Sequence, residues 1–133
     1  MASKEERQKA YMEFLTREGY RPDIDSDGDV RFKHEGFTYF IEVDEKDDKY
    51  FRIGFPNFWS IDSDAERARV LVACDEATRR CKGAKVYSVR DNVWASFETF
   101  FDETRQYEPV FRRMMGALRT AVSAFVQKMK ETE

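Results

Sequence analysis

Val30-Arg31-Phe32-Lys33-His34-Glu35-Gly36-Phe37-Thr38-Tyr39-Phe40-Ile41-Glu42-Val43 is the stretch on which the fold turns. Val30 and Phe32 alternate with Asp29, Arg31 and Lys33, and Glu35-Gly36 can reverse the chain. Phe37, Tyr39, Ile41 and Val43 then alternate with Thr38, Phe40 and Glu42. A charged turn at 45–48 leads to a third run, in which Phe51, Ile53 and Phe55 alternate with Tyr50, Arg52 and Gly54. A period of two puts successive side chains on opposite faces, so these runs predict antiparallel hairpins with one buried face. Pro56 is expected to end the block, leaving Asn57, Phe58 and Trp59 in a short loop.

Helices flank the hairpins. Ser3 with Glu6 forms a capping box for a first helix over 4–18, with Tyr11, Phe14 and Leu15 as its apolar stripe and Gly19 as its stop. Ser63 with Glu66 opens a second helix over 64–82, whose one face carries Val70, Ala73, Cys74, Ala77 and Cys81. Two more strands follow, 85–89 and 93–101, joined by Asp91-Asn92. The last helix begins near Glu108-Pro109, and Phe111, Met114, Leu118, Ala121, Val122, Phe125 and Met129 recur along it at helical spacing. The reading is α+β, in the order α-β-β-β-α-β-β-α: an antiparallel sheet of about five strands with three helices. No linker or repeat divides residues 1–133, so a single domain is expected. Strands that come in hairpins exclude a parallel dinucleotide-binding sheet, and no Gly-rich phosphate loop is present.

The chain has 133 residues, about one domain's worth. Charged residues make up 37% and aromatic residues 15%, which argues against both a membrane protein and a disordered chain. The 23 basic and 26 acidic residues leave a net charge of -3, so nucleic acid is not the expected partner. No apolar stretch reaches the ~20 residues that span a bilayer, and the charged start, Ser3-Lys4-Glu5-Glu6, does not read as a signal peptide. Cys74 and Cys81 are separated by about 10.5 Å of helical rise, too far for a disulfide, which fits a reducing cytoplasm.

Motifs for chemistry are sparse. His34 is the sole histidine, which removes any two-histidine metal site, and it is expected to be solvated at a strand end. Asp23-Ile24-Asp25-Ser26-Asp27-Gly28 opens like a calcium loop, but the twelfth position holds His34 where a bidentate carboxylate is required. An acidic turn before a strand is the plainer reading. Arg79, Arg80, Lys82 and Lys85 cluster at the end of the second helix, where cations meet the negative end of the dipole; a docking patch for an acidic partner is the functional alternative. Nothing in the spacing selects an acid/base pair, so no catalytic residue, metal ligand or cofactor is expected.

The aromatics are more informative. Alternation places Phe40 and Tyr50 on the face opposite the core, with Arg52 and Glu42 nearby, and Trp94 and Phe100 opposite Val93, Ala95, Phe97 and Phe101. Large aromatics rimmed by charge mark protein interfaces. Phe58 and Trp59 are expected to add anchors from their loop. The partner-binding set is therefore Phe40, Tyr50, Phe58, Trp59, Trp94 and Phe100.

Residues 15–20 with the acidic turn 25–29, then 39–44, then 70–82 leading into Ala84-Lys85-Val86-Tyr87, and finally the Asp91-Asn92 turn with 93–101, carry a family resemblance over nearly the whole chain. In order and pattern it resembles the type III secretion chaperone-like fold, and within it the bacterial YbjN-type domains described as putative sensory transduction regulators. The resemblance implies an acidic, usually homodimeric domain that binds other proteins, and it carries over no catalytic residue. The expected function is thus a non-enzymatic, cytoplasmic, chaperone-like or regulatory protein-binding domain. The alternative is a small-molecule or divalent-cation sensor using the turn from Asp23 to Asp29.

Overall fold

The computed structural model describes residues 2–133. It is an α+β fold with three α-helices and six strands paired in the order β1-β2-β3-β4-β6-β5, where β1 is Asp23–Ile24, β2 Val30–His34, β3 Phe37–Ile41, β4 Tyr50–Ser60, β5 Ala84–Val89 and β6 Asn92–Phe100. The sixth strand, β1, escaped the sequence reading because two residues are too short to show alternation. The chain divides into two compact units: residues 1–54 with 98–111, and residues 55–97 with 112–133.

In the first unit, α1 (Lys4–Arg17) begins at Ser3, whose Oγ accepts the Glu6 N–H at 3.1 Å. It ends at Gly19, where φ is +96° and only glycine is unstrained. Its inner face buries Ala10, Tyr11, Phe14 and Leu15. Tyr11 and Phe14 meet Phe51 and Tyr107, and the Phe51 and Tyr107 rings stack with centroids 5.0 Å apart. The β2–β3 hairpin pairs His34 with Phe37 across Glu35-Gly36, both at positive φ as the two-residue turn demands. Val30, Phe32, Tyr39, Ile41, Val43, Phe51 and Ile53 are buried as the alternation requires. Phe37 departs from it: next to the turn, at the end of the ladder, it is 59% exposed.

In the second unit, α2 (Asp64–Arg80) is capped by Ser63, whose Oγ accepts the Glu66 N–H at 3.1 Å. It stops two residues short of the expected end, so Cys81 is an extended C-cap and not the last residue of the helical stripe. Val70, Ala73, Cys74 and Ala77 are buried. Thr78 Oγ1 accepts the Val86 N–H at 2.9 Å, tying β5 to α2. The β5–β6 turn is Arg90-Asp91, one residue earlier than expected, because Val89 already pairs with Asn92. After a 3₁₀ turn, Glu108–Val110, α3 (Phe111–Glu131) carries the apolar stripe Met114, Leu118, Ala121, Phe125 and Met129, all buried. Within this unit it runs antiparallel to α2: Arg69 donates to the Met129 carbonyl at 3.1 Å, while Arg80 and Gly116 line one groove at the other end.

β4 does not end at Pro56 but continues to Ser60. A proline survives inside a strand only at an edge or a bulge. Here Asn57 at φ +52° supplies the bulge. Phe55 and Phe58, three residues apart, consequently share a face and stack at 5.3 Å, 3° from parallel.

Candidate protein-interaction surface

Three of the six expected anchors gather on the helix-free face of the first unit. Phe40 in β3 pairs with Gly54 in β4, and its ring fills the place a Cβ on Gly54 would take: the nearest ring carbon lies 2.2 Å from that position. The Arg52 guanidinium sits 5.3 Å from the Phe40 ring centroid and pairs with Glu42 at 2.8 Å. Tyr50 lies 5.9 Å from Phe100, centroid to centroid, and its hydroxyl donates to Glu98 Oε1. Burial, and the acceptor carboxylate of Glu98, hold the Tyr50 hydroxyl well above the usual phenol range, so it is a neutral donor at every physiological pH. Phe100 itself is 71% exposed. The Tyr50–Phe100 ring pair and Phe40 thus share one face, with Arg52 and Glu42 between them and Glu98 beside Tyr50.

The other three anchors belong to the second unit. Trp94 is half-buried on β6, opposite Tyr87, and its indole N–H donates to Asn57 Oδ1 at 2.9 Å. Phe58 and Trp59 are strand residues rather than loop anchors, since β4 runs through them. Both rings meet Phe125 of α3 edge-on, at 5.4 Å each. The bulge at Asn57 turns Phe58 toward the helix, which alternation counted from Phe55 could not foresee.

The acidic turn is tightly used by its own chain. Asp23 holds Arg31 through two hydrogen bonds, 2.8 and 2.9 Å. Asp25 Oδ1 accepts the Asp27 and Asp29 N–H groups, and Asp29 Oδ1 accepts the Val43 N–H at 2.8 Å. Carboxylate oxygens of Asp25, Asp27 and Asp29 nonetheless lie within 4.8 Å of one another. Asp29 is half-buried; burial and the neighbouring Asp25, Asp27 and Glu42 push its carboxyl above the usual range, against the Val43 hydrogen bond. His34 is not the solvated histidine expected: its Nδ1 is 3.0 Å from the Tyr20 hydroxyl and its ring is largely covered.

Sequence reading missed Phe37, exposed at the hairpin tip, and Leu71 and Val72, which are 51% and 56% exposed on α2. The last two carried a signal, because they fall out of phase with the Val70, Ala73, Cys74 and Ala77 stripe.

No family model and no curated protein matches the chain. A crystal structure of an uncharacterized protein from Methanothermobacter thermautotrophicus is similar in fold, with a TM-score of 0.58 at 14% identity over 94% of this chain and 95% of that one. At that identity the likeness speaks to the fold alone. No helix among the described residues is long and apolar enough to cross a membrane.

Proposed function

We propose that this chain is a non-enzymatic protein-binding domain, chaperone-like or regulatory, acting in the cytoplasm through the Phe40, Tyr50 and Phe100 face, and that it self-associates as a homodimer. The observation that carries the reading is Phe100: a strand residue, 71% exposed, beside a second aromatic. Apolar rings within a charged rim are the composition of a protein interface, where Glu42, Arg52 and Glu98 supply register and the rings supply contact area. The kinship proposed is with the YbjN-type domains of the type III secretion chaperone-like fold. It rests on the element order with its hairpins and long C-terminal helix.

Size-exclusion chromatography with light scattering tests the reading. The wild type should run as a dimer, and Phe100→Ser should weaken self-association with its melting temperature unchanged. A monomeric wild type at high concentration overturns the dimer, and equal loss of stability and association would make Phe100 a core residue.

A second reading has one observation behind it. The carboxylates of Asp25, Asp27 and Asp29 are close enough to share a divalent cation. Against it, Asp23 is already spent on Arg31, and Asp25 and Asp29 on backbone N–H groups. Calorimetric titration with calcium decides it: heat at micromolar ion supports a sensor, and none at millimolar ion removes it.

A further inference from the structure

Where α2 ends in the second unit, it and α3 leave an open groove of about 500 Å³ lined by Arg80, Lys82, Arg113, Gly116, Ala117 and Thr120. No acidic side chain lines it. Arg80, Lys82 and Arg113 make no ion pair among the described residues, although the chain carries 26 acidic groups and its neighbour Arg79 is paired to Glu76.

One of these residues breaks a local rule. Gly116 stands in the helix interior, where glycine costs stability relative to alanine. A Cβ added there would meet nothing within 4 Å, so packing inside the chain does not require the glycine. Residues that violate local preference without internal compensation concentrate at functional positions. Gly116 lines the groove beside the three unpaired cations.

We infer that this groove binds an extended, acidic polypeptide segment, with carboxylates on Arg80, Lys82 and Arg113 and the ligand backbone crossing α3 at Gly116. The arginine forks take carboxylates in pairs, and bare helix backbone at Gly116 admits a close-running chain. The open groove suits an extended segment better than an enclosed small molecule. Three cations in one groove match a few carboxylates of a short segment, whereas a nucleic acid calls for a longer basic stripe. The inference shares with the preceding reading only the class of partner, since the groove lies wholly in the second unit.

Fluorescence polarisation of a fluorescein-labelled Glu-Gly repeat peptide, against its Gln-Gly counterpart, tests it. The Glu-Gly peptide should bind at low salt and release at high salt, and the Gln-Gly peptide should bind at least about tenfold more weakly. Arg113→Glu and Gly116→Met should each weaken binding by about tenfold. Gly116→Met should keep or raise the melting temperature, because the space for its side chain is open. Phe100→Ser should bind the peptide as the wild type does, so this result is independent of the sheet-face proposal. Equal binding of the two peptides, indifference to Arg113→Glu and Gly116→Met, or loss in Phe100→Ser would overturn the inference. Tighter capture of oligothymidylate through the same residues would overturn it too.

Discussion

Arg7, near the acidic start of α1, is 2% exposed, with one nitrogen donating to the Asp44 carbonyl and Nε and Nη1 without hydrogen-bond partners. A buried charge so incompletely satisfied contributes little net stability. Arg7→Met should therefore stay within ~1 kcal/mol of wild type in urea unfolding, whereas Arg7→Ala should lose ~2–5 kcal/mol through the void it leaves. Asp29 gives a pH prediction. Its carboxyl sits above the unfolded value near ~4, so ionisation costs the folded state more than the unfolded one. Stability is thus lost as pH rises through the window from that unfolded value to the raised folded one. Asparagine keeps an acceptor for the Val43 N–H, so Asp29→Asn should melt higher than wild type near neutral pH, with the gap closing in acid. A gap that persists below both pKa values would contradict the account. The cysteines make a third test. Burial pushes the Cys74 thiol up to about 11, while Cys81 is raised less, with the Arg80 charge opposing its burial. A thiol reagent at mildly alkaline pH should label Cys81 first and reach Cys74 only as fast as the protein opens.

Elements with strong periodicity were legible from the chain. The α3 stripe and the capping serines of α1 and α2 appear where the spacing put them, since each signal is local. Legibility failed where geometry is not periodic. β1 is two residues long, and β4 outlives Pro56 because a bulge at Asn57 absorbs it. That one bulge misassigned Phe58 and Trp59, which a loop would have exposed and the strand packs on Phe125. Gly54 is the converse: its role is to leave room for Phe40 on the neighbouring strand, and no single-strand pattern announces that. Gly54→Ala should push the Phe40 ring outward and cost roughly 1–3 kcal/mol. Combined with Phe40→Ala it should cost clearly less than the sum of the two single changes, because the ring that clashes is gone. Additive losses would mean that the two residues do not touch.

For the whole molecule, composition and alternation together were enough to expect aromatics on the face opposite the core. Phe40, Tyr50 and Phe100 do gather on that side of the first unit, while Trp94 is held by Asn57 in the second. The Arg52–Glu42 ion pair across the β3–β4 hairpin and the long-range Tyr50–Glu98 hydrogen bond define the rim, and both depend on strand register that sequence alone does not fix. The central claim is that Phe100 meets another polypeptide. Photocrosslinking in living cells tests it most directly, with p-benzoylphenylalanine in place of Phe100 and, as the control, in place of Leu71, which is also exposed. The account predicts a covalent polypeptide adduct from position 100, at twice the chain mass if the partner is a second copy, and little or none from position 71. No adduct from position 100, or equal adducts from both positions, would contradict it.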